Sequence, residues 1–212
     1  MDTMKINRIV SLKGLLVTGV IAISFCFVGF ATAADIVMKY HHDLPEDSAQ
    51  HKGAVKFKEL VESRTSNRVK VQIFANNALG DDLQATQQMQ FGAIQGGTIP
   101  TAKLSGFDRS LQLADLPFLF PSAKIAYEIF DSEIGDELLK KLAKVGLHAI
   151  SFWESGFKQL TCNHKVSSPE DLKGRKVRVM ESPMLISQFK ALGAMPILKH
   201  HRLYQVIFAS LH

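Results

Sequence analysis

The sequence predicts an α/β fold with a largely parallel sheet, and three observations support that prediction. Segments with strand-like alternation, such as 69–73, alternate with segments of helical periodicity along the chain. Two predicted helices are followed by glycines, Gly146 and Gly193, where helices commonly end. The 212 residues are 46% hydrophobic and 21% charged, which is typical of a globular protein of one domain or slightly more. Ligands of open parallel sheets bind beyond the carboxyl ends of the strands, so a site is expected there.

The first elements are a predicted strand at 36–40, a polar loop and a helix. Asp47 and Gln50 have the spacing of a capping box, which predicts that the helix begins there. A strand at 69–73 follows, because Val and Ile alternate with Lys and Gln. The apolar face of the helix is formed by Ala54, Phe57, Leu60 and Val61.

The next helix begins after a turn at 76–80. Asp81 and Asp82 lie at its N-terminus, where acidic side chains are stabilised by the positive end of the helix dipole. The helix is predicted to run to about Gly92. A short apolar segment near Ile94 then leads into a glycine-containing loop at 96–98.

The remaining elements are predicted from the same signals. Ser168-Pro169 indicates the start of a single helical turn, because proline suits the first helical position. The other predicted elements are helices at 122–130 and 132–145, strands at 148–153 and 176–180, and a helix at 184–192.

The N-terminal segment has the three parts of a secretory signal peptide. Lys5, Arg8 and Lys13 are basic, residues 15–30 are nearly all apolar, and small residues follow at 31–33. This pattern predicts cleavage after residue 33 and export to the periplasm. An uncleaved membrane anchor is the alternative, but the apolar run is slightly short for a span of about 20 residues.

Charge and cysteine content narrow the function classes. Without the predicted signal peptide the chain loses three of its 25 basic and one of its 20 acidic residues, which leaves a net charge of +3. Such a mild, scattered excess does not indicate nucleic-acid binding. Cys26 lies in the signal segment, so Cys162 has no partner for an internal disulfide and is expected to be a small buried apolar residue rather than a reactive thiol.

No catalytic or cofactor motif is present in the sequence. Phosphate-binding loops, dinucleotide fingerprints, zinc-protease motifs and nucleophile elbows are all missing. We therefore predict no enzyme activity, no cofactor and no metal. His41-His42 with His51, and His200-His201, have no standard metal-site spacing and are expected to be solvated loop histidines.

Five short segments occur in the order and spacing of one known family. They are LGDD at 79–82, DLPFLF at 115–120, WESGFK at 153–158, LKGRKVRVMESP at 172–183 and ALGA at 191–194. With these segments, residues 35 to about 196 resemble the solute receptors of tripartite ATP-independent periplasmic (TRAP) transporters, of the C4-dicarboxylate-binding type. The resemblance implies a two-lobed periplasmic binding protein fold that closes on a small organic acid and delivers it to the membrane subunits of the transporter.

The resemblance also implies the site residues. Arg178, late in a strand, matches the arginine that clamps the ligand carboxylate, and an arginine fork suits a carboxylate. From the residues alone, an exposed or ion-paired structural arginine is the simpler interpretation. Lys158 matches a second basic position, so the ligand is expected to have two separated anionic or polar ends. Further site positions are Glu181, Thr98, Thr101 and Phe157, while Trp153 is expected in the buried core.

The expected organisation is a signal peptide at 1–33, lobe one at 34–154, part of lobe two at 155–196 and an aberrant tail at 197–212. The second lobe is therefore expected to be incomplete, as after a frameshift or an early stop, and ligand binding by this chain is expected to be impaired as a result. Two other classes remain open, a periplasmic enzyme and a sensory input module on a similar α/β scaffold. The residues do not identify the ligand.

Overall fold

A computed structural model describes residues 36–198. The predicted signal peptide at 1–33 and His200-His201 lie outside the described residues. Within 36–198, no helix is both long and apolar enough to cross a membrane.

The first sheet has three parallel strands, β1 (Ile36–His41), β2 (Val69–Phe74) and β3 (Gly96–Gly97). Their order is β2-β1-β3, so β1 is central. Six residues of β1 pair with β2, and two pair with the short β3. The parallel pairing confirms the predicted α/β class and places the carboxyl ends of these strands at one edge.

Helix α1 (Ala49–Arg64) connects β1 to β2 and covers the first sheet. Ser48, not Asp47, caps it by accepting a hydrogen bond from the His51 amide at 3.1 Å, so the predicted start was off by one residue. Ala54 packs with Tyr40 and the β2 side chains, joined by Phe57 and Val61 as predicted, whereas Leu60 is 40% exposed.

Helix α2 (Asp82–Gln90) begins with a capping box. The side chain of Asp81 accepts from the Gln84 amide, and the Gln84 side chain accepts from the Asp81 amide. Helix α3 (Thr101–Leu104) and a 3₁₀ helix at Arg109–Asp115 then lead away from β3.

Two further helices, α4 (Ala123–Phe130) and α5 (Glu133–Lys141), begin at the serines that the sequence predicted. A 3₁₀ turn at Leu142–Val145 extends α5 to Gly146, whose φ of +77° is the left-handed conformation that glycine adopts readily.

The predicted strand at 148–153 does not form. Residues 147–167 have neither helix nor strand, and most of their side chains are exposed. A strand needs a neighbour for its backbone groups, and this segment pairs with no described strand. Cys162 is exposed as a result, and its thiol donates to the His164 carbonyl at 2.9 Å, so the predicted burial was wrong.

The second sheet has two parallel strands, β4 (Lys176–Val179) and β5 (Met195–Leu198), which form four residue pairs. A 3₁₀ helix at Pro169–Leu172 precedes β4, and helix α6 (Pro183–Ala191) connects the two strands. Strand β5 was not predicted, and it crosses the expected boundary between residues 196 and 197.

The buried face of the second sheet packs against α6 and α3. Val179 and Leu185 form a cluster with Ala102 of α3. The second sheet is therefore tied by direct contact to the segment that follows β3.

Candidate functional site

A buried carboxylate, Asp115, is the centre of a polar cluster next to the carboxyl end of β4. Lys158 Nζ lies 2.5 Å from Asp115 Oδ1, and Ser182 Oγ donates to Oδ2 at 3.4 Å. Gln188 of α6 donates to the Asp115 backbone carbonyl at 2.5 Å. We call these four residues the Asp115 cluster. It joins the 3₁₀ helix at 109–115, the irregular segment at 147–167 and α6.

Sequence reasoning did not identify Asp115, although one signal was available. The residue stands alone as an acid in the apolar segment 111–120. A carboxylate buried among apolar residues requires a cation or several hydrogen bonds, because an unpaired charge is costly to desolvate. Lys158 supplies that cation.

A second ion pair lies beside the first. Lys103 Nζ of α3 is 3.2 Å from Glu181 Oε2, and the lysine is the more buried partner. Glu181 immediately precedes Ser182 of the Asp115 cluster, so both pairs surround the loop between β4 and α6. The predicted site residue Glu181 is thus held by Lys103, which the sequence did not suggest.

Arg178 lies in β4, three residues before Glu181, and is half-buried. Val177 and Val179 pack into the cluster with Ala102. Because side chains alternate along a strand, Arg178 points to the other face of β4.

Thr98 and Thr101 lie near each other in sequence but have different surroundings. The Thr98 and Tyr40 hydroxyls are 2.7 Å apart, and the Thr98 amide donates to the His41 carbonyl at 2.9 Å. Burial raises the pKa of Tyr40, although the Thr98 hydrogen bond acts in the opposite direction. Thr98 thus lies at the carboxyl edge of the first sheet. Thr101 begins α3, two residues before Lys103.

Histidines occupy the carboxyl end of β1, and the structure corrects their predicted exposure. His41 and His42 are buried because α1 and α2 begin directly beside them. His42 Nε2 lies 3.0 Å from His51 Nδ1, and His41 Nε2 lies 3.4 Å from Asp82 Oδ1. Burial lowers the pKa of His42, and the neighbouring His51 and His41 lower it further. Among the described residues, no group of three or more His, Cys, Asp or Glu is arranged to hold a metal ion.

The segment that contains Phe157 and Trp153 lies against α1 at its first turns. Gln50 Nε2 donates at 3.3 Å to the carbonyl of Glu154 and also to a serine hydroxyl in the same segment. The Trp153 ring packs over Gly53, yet it is 41% exposed, so its predicted place in the buried core was wrong. Phe157 is 59% exposed.

The contacts described above link some of the six predicted site residues to one another. Lys158 pairs with Asp115, which accepts a hydrogen bond from Ser182, the residue after Glu181. Thr101 lies two residues before Lys103, the partner of Glu181. Thr98 contacts the first sheet, Arg178 lies on the other face of β4, and Phe157 is exposed.

Comparison with known proteins identifies the family. A family model described as bacterial extracellular solute-binding protein, family 7, matches residues 40–199. The C4-dicarboxylate-binding periplasmic protein DctP of Rhodobacter capsulatus is 33% identical over 191 residues, covering 89% of this chain and 57% of that protein. The 2,3-diketo-L-gulonate-binding periplasmic protein YiaO of Escherichia coli is 32% identical over 166 residues, covering 76% of this chain and 49% of that protein.

Solved structures show the same relationship. A TRAP periplasmic solute binding protein from Sulfurospirillum deleyianum, with bound succinate, matches with a TM-score of 0.77 and 31% identity, covering 84% of this chain and 58% of that chain. A TRAP periplasmic solute binding protein from Polaromonas, bound to D-erythronate, matches with a TM-score of 0.77 and 29% identity. The match covers 82% of this chain and 58% of that chain. The chain thus spans about half the length of the curated relatives that it matches.

The order of the elements, the family match over most of the described residues and these structural neighbours agree with the resemblance seen in the sequence. The chain belongs to the bacterial extracellular solute-binding protein family 7, which includes the solute receptors of TRAP transporters.

Proposed function

We propose that this protein is a periplasmic solute-binding receptor, exported by the signal peptide at 1–33, which delivers a small organic acid to TRAP membrane subunits. Its relatives are named as periplasmic binding proteins of organic acids, and its structural neighbours hold succinate or D-erythronate. In this proposal residues 34–154 belong to the first lobe and 155–196 to the second.

One observation carries the proposal. Arg178 lies four residues before Ser182 of the Asp115 cluster, and Glu181 between them pairs with Lys103 of α3. A half-buried guanidinium can hold a carboxylate through two parallel hydrogen bonds. Arg178 is therefore the proposed carboxylate anchor. Thr98, Thr101, Glu181 and Phe157 are proposed as polar and aromatic walls, and Lys158 as a hydrogen-bond donor.

The test is titration calorimetry with succinate and with D-erythronate on the protein at the full length of its relatives. Arg178→Ala should weaken binding of the acid by about 30-fold or more, because removing one partner of a desolvated charge pair costs about 2–5 kcal/mol. Arg175→Ala is the matched control, since Arg175 is exposed just before β4 and should change affinity little. Equal effects of the two substitutions would show that Arg178 is not the anchor.

A further inference from the structure

The charge of Lys158 is already compensated within the protein. Its ammonium contacts Asp115 at 2.5 Å, and the Asp115 side chain is only 1% exposed, whereas that of Lys158 is 50% exposed. At the other Asp115 oxygen, the described residues place the neutral Ser182 hydroxyl, at a long 3.4 Å. Lys158 is thus the cation that Asp115 depends on among the described residues.

A ligand carboxylate that recruited Lys158 would therefore have to compete with a buried carboxylate. Drawing the lysine away leaves Asp115 charged and desolvated, which is strongly unfavourable. The half-exposed ammonium still has N–H groups that point away from Asp115, and these can donate to a neutral hydroxyl without breaking the ion pair.

The neighbouring ion pair, Lys103 with Glu181, also disfavours a second carboxylate of a ligand. Lys103 is compensated by Glu181, whose carboxylate remains partly exposed beside Ser182. The two lysines and two carboxylates around this loop sum to no net charge. A second anionic group of a ligand placed here gains no uncompensated cation and approaches the Glu181 carboxylate, which repels it.

We propose that Asp115 is a specificity-determining residue, which neutralises Lys158 so that the site favours an acid with one carboxylate and several hydroxyls over a dicarboxylate of equal length. The proposal rests on the proposed function, because it assumes that Lys158 lies in the organic-acid site. It replaces the sequence-based expectation that Lys158 offers a free point charge to a second carboxylate.

Two four-carbon probes separate these alternatives, succinate with two carboxylates and D-erythronate with one carboxylate and hydroxyls. Wild-type protein should bind D-erythronate more tightly in calorimetry. Asp115→Asn keeps the side-chain shape but releases Lys158, so the affinity ratio should move toward succinate by at least about tenfold, the contribution of one hydrogen bond to a charged group. Adding Lys158→Gln to Asp115→Asn should abolish that gain.

The matched control is Glu59→Gln, which removes the carboxylate of an exposed Lys56–Glu59 pair on α1 and should leave the ratio as in wild type. If circular dichroism shows that Asp115→Asn does not fold, the single variant Lys158→Gln tests the proposal instead. The proposal expects Lys158→Gln to weaken succinate no more than D-erythronate, and a selective loss of succinate contradicts it.

Failure of the proposed function and failure of the specificity proposal give different binding results. A wild-type protein that binds neither probe nor any other organic acid overturns the proposed function, and the specificity proposal with it. A wild-type protein that binds both acids but prefers succinate, or whose ratio does not respond to Asp115→Asn, overturns the specificity proposal alone.

Discussion

Two units of the molecule share one topology but bury their apolar faces differently. In the first, β1-α1-β2, six residue pairs and a 16-residue helix enclose Tyr40, Ala54 and Val71 within the unit. In the second, β4-α6-β5, four residue pairs and a nine-residue helix leave part of the buried face to Ala102 of α3. A short parallel pair therefore depends on a neighbour, because its own helix covers too little of the sheet.

The two units also differ in which polar side chains are buried in or beside them. The first unit buries His41 and His42 at the end of β1, and burial lowers the pKa of His42 there, beside His51. Next to the second unit, each ion pair has one buried charge and a more exposed partner: Asp115 pairs with Lys158, and Lys103 pairs with Glu181.

The largest expected effect tests how the second unit is held. Leu185→Ala in α6 should lower the free energy of unfolding by about 2–5 kcal/mol, because it opens a cavity between β4 and α3. Leu60→Ala in α1 is the control in the first unit and should cost less than about 1 kcal/mol, since Leu60 is 40% exposed. Urea unfolding measures both, and similar losses would contradict the packing described for the two units.

A smaller effect compares one substitution at two glycines. A Cβ on Gly97 of β3 would lie 2.6 Å from the His41 carbonyl oxygen, so Gly97→Ala must disturb the pairing of β1 and β3 and should cost about 2–3 kcal/mol. Gly193, after α6, has a φ of +72°, and a Cβ there would lie closest to the Lys173 Cγ, at 3.0 Å, with the Lys173 backbone at 3.7 Å. Gly193→Ala should cost about 1 kcal/mol through backbone strain. Thermal unfolding of both variants tests this order, and a larger loss at Gly193 would reverse it.

The smallest expected effect is a pH dependence that belongs to the first unit. The pKa of His42 is lower in the folded protein than its ordinary value of 6.5, so the unfolded chain binds more protons below that pH. Stability from neutral His42 is fully present above pH 6.5 and is lost as the pH falls through 6.5 toward the folded pKa. Melting temperatures between pH 8 and pH 5 should fall less steeply for His42→Gln than for wild type.

The control for that experiment is His148→Gln, because His148 is exposed and lies outside both units. Equal slopes for wild type and His42→Gln would show that another group carries the acid sensitivity of the protein.

Local signals predicted much of the fold correctly. Ser122 and Ser132 begin helices, Asp81 and Asp82 lie at the start of a helix, and Gly146 ends one, because each signal depends on atoms within about one helical turn. The parallel class followed from the alternation of elements. The strand predicted at 148–153 failed because an apolar segment becomes a strand only when another strand pairs with it.

The candidate site was less accessible to sequence reasoning. The motifs indicated Arg178 and Lys158 as site residues, and their roles remain predictions. Neither Asp115 as the partner of Lys158 nor Lys103 as the partner of Glu181 was identified, because these pairs join residues 43 and 78 positions apart.

By itself, then, the sequence determined the parallel α/β class, most helix ends and the family to which the chain belongs. Only the tertiary structure decided that His41 and His42 are buried, that Cys162 is exposed and that the charge of Lys158 is compensated by Asp115. The reason is physical: caps and periodicity depend on neighbours along the chain, whereas burial and charge pairing depend on which distant segments the fold brings into contact.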